Sequence, residues 1–302
     1  MSKSSSASNT TIPTSPEETS LVKGSEDISP TAGLEDIRPL PFKTILNLRK
    51  IVQSQCDELQ KGDSTQQYLV FTHVSTDDLT KIDRTLEKMS IHTRMTHYTD
   101  ENLLIVKFPT AKHEAAHLSL TGKVNRKLAL MGIDDEFWPV GATRIHGRRS
   151  SKEADSAFKP YSFRPNEADW PTIVFEAGLS ESLRRLRLDA KWWLTGSRGD
   201  VKTVIVISIK PAQSILHIEK WELASVVAGT RLNTRAFSTL NNPQPSPQVP
   251  TQIQVIAIDP NTVTGAPLTL EFAKIFLRPP VPPENDIIFT AQELSTLAAR
   301  IW

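Results

Sequence analysis

Apolar residues along this chain recur with two periods, which predict helices and strands in a definite order. Helical spacing is present in three segments of the first half: 40–60, 76–89 and 111–131. Short apolar runs at residues 67–74 and 101–109 predict strands, and a proline ends the second. The first 37 residues are rich in Ser, Thr, Pro and Glu, so we expect a disordered tail there.

From residue 110 onward the predicted elements follow the order α-β-β-β-α-β. Three strand-like runs come after the first helix: PVGATRIHG, KEADSAFK and PTIVFEAG. A second helix, SESLRRLRLDAKWWL, is capped by Ser180, and the strands VKTVIVISI and ILHIEKWEL follow it. We therefore expect an α/β (α+β) core over residues 110–223, preceded by an N-terminal α/β extension at 38–109.

The end of the chain predicts a β-rich extension over residues 224–302. A stretch rich in Pro and Asn, NNPQPSPQVP, predicts a long loop. Two further strands, TQIQVIAID and PLTLEFAKIFL, follow the loop, and TAQELSTLAARIW predicts a terminal helix with a Thr cap.

Composition narrows the classes of function. A formal net charge of +1 argues neither for nor against a nucleic-acid partner, because only local clusters of charge bind one. The single cysteine, Cys56, rules out an internal disulfide and a cysteine-based zinc site. The N-terminus lacks the apolar part of a secretory signal, and no stretch approaches the roughly 18 apolar residues of a membrane span. We expect a soluble, intracellular protein of the cytoplasm or nucleus, with no membrane partner.

The segment KHEAAHL contains HEAAH, the pattern by which a helix binds zinc in metallopeptidases. Its spacing places His113 and His117 on one helix face, with Glu114 beside them as the general base. On a helical wheel that face is also the core-facing stripe, so the spacing fits packed histidines equally well. Glu136 stands at the distance of a third ligand, but in a turn-like segment, and Gly122 interrupts the helix. A zinc metallopeptidase is therefore the less favoured alternative.

Two carboxylates stand in the strand-like runs downstream. Asp155 lies in KEADSAFK and Glu176 closes the apolar run TIVFE. Neighbouring strands can present both side by side, as a pair of hard oxygen ligands that suits Mg²⁺ or Mn²⁺. Alternatively, Glu176 is exposed at the strand end. On the next helix, Lys191 lies at the border of the apolar face, where it can reach back to this pair or extend into solvent.

In this order and spacing, residues 110–222 resemble the PD-(D/E)XK restriction-endonuclease-like superfamily. In detail they are similar to a large bacterial family of restriction-endonuclease-like proteins abundant in cyanobacteria, and to fungal relatives. The matching positions are Glu114, Gly141, Asp155, Glu176, Ser180 and Lys191. The sequence departs from the pattern at Gly178, where a lysine is usual, and at Ala154, where proline is common. The resemblance implies an αβββαβ core with a mixed central sheet.

The resemblance implies a metal-dependent DNA phosphodiesterase, or a catalytically degenerate member of that class. Asp155, Glu176 and the carbonyl of Ala177 would hold Mg²⁺ or Mn²⁺, which generates the attacking hydroxide. Lys191 would orient the water, and Glu114 would add a ligand or position a water. Contacts to the DNA backbone would come from four arginines: Arg148, Arg149, Arg184 and Arg187. A non-catalytic binding module of the same fold is the further alternative.

Overall fold

Two β-sheets, with helices packed on them, make up the fold. The structure is a computed structural model that describes residues 29–141, 143–179, 183–225 and 247–301. The described residues from Thr31 onward form one compact unit. The strands are β1 (Leu40–Pro41), β2 (Tyr68–Thr72), β3 (Arg94–Tyr98), β4 (Leu103–Lys107), β5 (Phe137–Pro139), β6 (Arg144–His146), β7 (Ser150–Glu153), β8 (Ser156–Pro160), β9 (Ile173–Leu179), β10 (Thr203–Lys210), β11 (Ile215–Ser225), β12 (Gln248–Ile258), β13 (Val263–Thr264), β14 (Leu268–Leu270) and β15 (Ile287–Phe289). The helices are α1 (Ile45–Lys61), α2 (Thr76–Lys88), α3 (Ala111–Met131), α4 (Leu183–Gly196), α5 (Phe272–Phe276) and α6 (Ala291–Ala298).

The first sheet has six strands in the order β1-β2-β4-β3-β7-β6. Helices α1 and α2 pack against it through a shared apolar cluster that includes Val52, Phe71, Ile82 and Leu104. Burial of such side chains is the main stabilising contribution to this layer. Leu34, which precedes β1, is buried against the other side of β2 and β4. The sheet therefore has apolar contacts on both of its faces.

The second sheet has seven strands in the order β13-β12-β11-β10-β9-β8-β5. Strands β9 and β10 are parallel, and α4 connects them, whereas the other neighbours in this sheet are antiparallel. Helices α3 and α4 contact opposite faces, because Phe175 and Ala177 of β9 pack in the cluster that contains α3, and Val174 packs in the one that contains α4. This alternation directs Glu176 toward α4.

The α/β fold class with a mixed sheet is confirmed. Helix α3 has the predicted bounds, from the Thr110 cap to the left-handed Gly132, and it continues through Gly122, so the expected interruption is wrong. The β-strand predicted for PLTLEFAKIFL is also wrong beyond its first residues. Strand β14 ends at Leu270 and the short helix α5 follows, which buries Phe272 and Phe276 in the core.

Two further expectations fall partly outside the described residues. The tail is described only from residue 29, and from there it forms turns with Leu34 buried, so its last residues are ordered. Ser180 and the loop segment 226–246 are not described. The division into extension, core and second extension stays a prediction. Within the described chain, no helix is both long and apolar enough to cross a membrane.

Candidate functional site

The sequence predicts one strand for KEADSAFK, but this is wrong: the segment contributes to two strands, β7 and β8, in different sheets. Strand β7 pairs with β3 and β6 in the first sheet, and β8 pairs with β9 and β5 in the second. Ala154 and Asp155 form the crossing point. Strand β4 ends nearby at Lys107, just before α3 begins. The junction of the sheets therefore brings together the ends of several elements.

At this junction the three predicted metal ligands surround one ammonium group. The Nζ atom of Lys107 lies 2.7 Å from Asp155 Oδ2, 2.7 Å from the carbonyl oxygen of Ala177 and 3.9 Å from Glu176 Oε2. The backbone N–H of Ala177 also donates to Asp155 Oδ2, at 2.7 Å. The carboxylates thus converge as the sequence predicts, with a lysine from outside the predicted core between them.

These groups are shielded from solvent. The side chains of Asp155, Glu176 and Lys107 are 0 %, 1 % and 6 % exposed. A carboxylate or ammonium at such a position needs oppositely charged or hydrogen-bonding partners, because an unpaired buried charge is costly.

The ion pairs continue from Glu176 toward α4. Lys152 Nζ lies 3.6 Å from Glu176 Oε1 and 3.1 Å from Asp189 Oδ2, and Arg185 pairs with Asp189 at 3.0 Å. Trp193 Nε1 donates to Glu176 Oε1 at 2.6 Å. We call the set Lys107, Lys152, Asp155, Glu176, Arg185 and Asp189 the buried charge network. It contains three basic and three acidic side chains.

Neighbouring charges and burial shift the pKa values of these groups in different directions. Burial alone would raise the pKa of Asp155, but His113 and Lys107 hold it well below its usual range. Burial alone would lower the pKa of Lys107, but Asp155 raises it above the ordinary lysine value. Burial raises the pKa of Glu176 to about 7, against the opposing effect of Lys152. The Lys107–Asp155 pair is therefore the fully ionised part of the network.

A second group of polar side chains lies beside Asp155, on α3. His113 Nε2 is 2.9 Å from Asp155 Oδ2, and His117 Nδ1 is 2.8 Å from Ser156 Oγ. Glu114 lies between the two rings, with Oε1 3.6 Å from His113 Nδ1 and Oε2 3.2 Å from His117 Nε2. The side chain of Glu114 is 34 % exposed. At this carboxylate, the chain of polar contacts reaches solvent.

Glu136, the third ligand of the peptidase alternative, is engaged elsewhere. It ends the 3-10 turn Asp134–Glu136, and its carboxylate accepts hydrogen bonds from Ser162 N and Ser162 Oγ, at 3.0 and 2.7 Å. It is not among the described side chains that converge with the two histidines, whose partner is Glu114. Glu136 therefore does not lie where it could bind a zinc ion together with His113 and His117.

Lys191 is also placed away from the two carboxylates. Its Nζ lies 5.9 Å from the centroid of the Trp221 ring, and burial lowers its pKa, with a contribution from Arg187. It makes no ion pair with Asp155 or Glu176. The lysines beside these carboxylates are Lys107 and Lys152. Neither was predicted from the sequence.

Three of the four arginines predicted to contact DNA have acidic partners within the chain. Arg184 pairs with Glu35 at 2.6 Å, Arg149 pairs with Asp100, and Arg187 donates three hydrogen bonds to Glu219. Arg148 is exposed, on the turn between β6 and β7. Gly141, the remaining matched position, is in a turn with a φ of +64°.

Comparisons with known proteins leave the family open. No family model matches the sequence, and the search of curated proteins found no match. Among solved structures, the chain is similar to a candidate nuclease of the DUF820 family from Anabaena variabilis, with 12 % identity over 69 % of this chain and 92 % of that one, at a TM-score of 0.37. At this low similarity, function has to be argued from the geometry of the site.

Proposed function

We propose that this chain is a nuclease-like protein that retains the carboxylate pair of a metal-dependent DNA phosphodiesterase but does not hydrolyse DNA. The observation that carries the proposal is the position of Lys107. Its ammonium contacts Asp155 Oδ2 and the Ala177 carbonyl at 2.7 Å each. These are two of the three ligands that the resemblance assigns to the metal ion.

Charge balance supports this proposal. A divalent ion is bound by oxygen ligands whose negative charge is free to compensate it. Here Lys107 and Lys152 already lie within 4 Å of Asp155 or Glu176, so the carboxylates are neutralised. An added Mg²⁺ would bring two further positive charges next to two buried ammonium groups. The residues present therefore do not fit the metal, and we derive no hydrolytic step through it.

Access to the site supports the same conclusion. Hydrolysis requires the scissile phosphate to reach the metal and the water bound to it. Asp155 and Glu176 expose 0 % and 1 % of their side chains. A phosphodiester could therefore reach them only after the surrounding side chains rearranged.

An active phosphodiesterase is the second candidate, because Asp155, Glu176 and the Ala177 carbonyl do converge. In that case Lys107 would leave the space between the ligands and serve as the lysine of the site. Plasmid nicking with Mg²⁺ or Mn²⁺ separates the candidates, with Asp155→Asn and Glu176→Gln as near-isosteric controls. We expect wild type and both variants to show the same background. Nicking by wild type that is lost in both variants would establish the active nuclease.

DNA is the partner that we propose for this non-hydrolytic protein, through the turn that carries Arg148 and Arg149. We expect fluorescence anisotropy with a metal-free duplex to show weaker binding by an Arg148→Ala/Arg149→Ala variant. Its dependence on salt should also be less steep, by about one unit of slope for each phosphate that the variant no longer neutralises. Arg126→Ala, on the exposed side of α3, is the matched control. Equal affinity and slope in all three proteins would remove this turn as a DNA contact.

A further inference from the structure

His113, Glu114 and His117 form a constellation that the proposed function does not use. Each offers one ligand atom, and these atoms lie within 4.8 Å of one another. The two histidines are buried, at 0 % and 1 % exposed, whereas Glu114 is 34 % exposed. The group therefore has a buried inner wall and an opening to solvent at the carboxylate.

Each imidazole has one nitrogen beside a fixed oxygen. His113 Nε2 lies 2.9 Å from Asp155 Oδ2, and His117 Nδ1 lies 2.8 Å from Ser156 Oγ. The nitrogens on the other side, His113 Nδ1 and His117 Nε2, are buried and face the Glu114 oxygens. Like His113 Nε2 beside Asp155, they make no hydrogen bond of good geometry within the described chain. Metal-bound histidines commonly have such an oxygen beside the ring nitrogen that does not bind the metal, because it orients the ring and fixes its tautomer.

We propose that His113 Nδ1, a Glu114 carboxylate oxygen and His117 Nε2 bind a transition-metal ion of the Zn²⁺ class. Tetrahedral Zn²⁺ with bonds of about 2.0–2.1 Å holds its ligands about 3.4 Å apart. Glu114 Oε1 lies 3.6 Å from His113 Nδ1, and Glu114 Oε2 lies 3.2 Å from His117 Nε2. One atom from each of the three residues lies within 4.8 Å of the others, so the ligands would draw together around a bound ion. Imidazole nitrogen favours Zn²⁺ over Mg²⁺, and the exposed side of Glu114 leaves room for a water as the fourth ligand.

One cation competes for the carboxylate. Arg94 Nη2 lies 3.6 Å from Glu114 Oε1, and its side chain is 15 % exposed. Binding of the ion replaces this long contact with a direct bond to Glu114. Because Asp155 is already paired with Lys107, it serves as the oxygen that orients His113 and not as a further ligand.

The proposed site differs from that of an HExxH peptidase in the role of its glutamate. In the peptidase Glu114 would be the general base and Glu136 would complete the ligand set. Here Glu114 is the ligand, and Glu136 is bonded to Ser162. Through the ring contacts of His113 with Asp155 and of His117 with Ser156, the ion would link the first turns of α3 to the crossing between the sheets and the start of β8. Its role is therefore to stabilise that crossing, and it is independent of the Mg²⁺ chemistry considered above.

The test is calorimetric titration of Zn²⁺ into the chelator-treated full chain, repeated with Co²⁺ to observe its absorption spectrum. We expect one ion per chain and a rise in melting temperature with Zn²⁺. Glu114→Gln, at a partly exposed position, should weaken binding by on the order of tenfold or more, and Ser156→Ala should weaken it by on the order of tenfold. Glu136→Gln and His146→Ala, both away from the constellation, should bind like wild type.

Several results would overturn the proposal. Absence of stoichiometric binding would do so, as would affinity that is unchanged in both Glu114→Gln and Ser156→Ala. Loss of binding in Glu136→Gln would instead indicate the peptidase ligand set. Circular dichroism of each variant separates loss of a ligand from loss of the fold. None of these outcomes depends on whether the chain cleaves DNA.

Discussion

The ammonium of Lys107 lies 2.7 Å from Oδ2 of Asp155, in the place where the resemblance puts a metal ion. The lysine comes from β4 of the first sheet, and the aspartate from the crossing between the sheets. The pair therefore joins the two sheets electrostatically. Because Lys107 already compensates the charge of Asp155, the fold does not need a divalent ion at this position.

Replacing Lys107 by Met should strongly destabilise the protein. The substitution keeps an apolar chain of similar length but removes the ammonium that is ion-paired with the buried Asp155, which then has only His113 as a cationic neighbour. Removing one partner of a buried pair costs about 3–5 kcal/mol. Urea unfolding should show this loss in the free energy of unfolding. Lys112→Met, at an exposed position on α3, should stay within about 0.5 kcal/mol of wild type. Similar values for the two variants would show that the pair contributes little.

Gly33 should be intolerant of any side chain, because it lies against the start of α4. It has a φ of +79°, and a Cβ there would lie 2.9 Å from the backbone nitrogen of Arg185. Gly62 has a similar φ of +78°, but a Cβ there would meet no other part of the protein within 4 Å. Gly62→Ala should therefore cost about 1 kcal/mol of backbone strain, and Gly33→Ala clearly more. If thermal unfolding shows the same loss of stability in both variants, Gly33 does not lie as close to the Arg185 backbone as described.

Glu219 should make stability depend on pH in the acid range. Burial alone would raise its pKa, but hydrogen bonds from His217, Arg187 and Trp221 lower it to about 2. Because this lies below the ordinary value of 4.5, the stabilisation is present above pH 4.5 and is lost as pH falls toward 2. It amounts to at most about 3 kcal/mol, less where solvent screens the 43 % exposed Arg187.

Glu219→Gln tests this prediction. The amide keeps the shape of the side chain and removes its charge. Wild type should exceed the variant in free energy of unfolding at pH 7, and the difference should shrink between pH 4.5 and pH 3. A difference that is constant over this range would show that the Glu219 carboxylate does not titrate as described.

Much of the fold could be predicted from local pattern. Helix α3 has buried residues at helical spacing along its whole length, and β9 and β10 are long, nearly continuous apolar runs. Strand β3, RMTHY, was missed because it has no such run and is defined by its neighbours β4 and β7. The crossing at Asp155 was missed for the same reason, since only the pairing of β7 with β3 separates β7 from β8.

The candidate site was predictable only in part. Glu176 was found because it closes the apolar run TIVFE, and Asp155 because it lies in a short strand-like run that fits the resemblance. The two carboxylates do converge on Lys107. From the sequence, Lys107 is the polar end of a strand. Its burial depends on Asp155 and Ala177, which lie 48 and 70 positions further along the chain. Arg185 and Asp189 have helical positions typical of an exposed pair, yet both are buried. Contacts between segments that are distant in sequence leave no pattern in the local order of apolar and charged residues.

Calorimetric titration with Mg²⁺ most directly tests the claim that Lys107 takes the place of a metal ion between Asp155 and Glu176. Mg²⁺ is the suitable probe because it prefers oxygen ligands and binds imidazole nitrogens poorly. The proteins to compare are wild type, Glu176→Gln and Lys107→Ala, with the fold of each checked by circular dichroism. We expect no Mg²⁺ binding by wild type and new binding by Lys107→Ala, where the carboxylates are released. One Mg²⁺ bound by wild type and lost in Glu176→Gln would contradict the account.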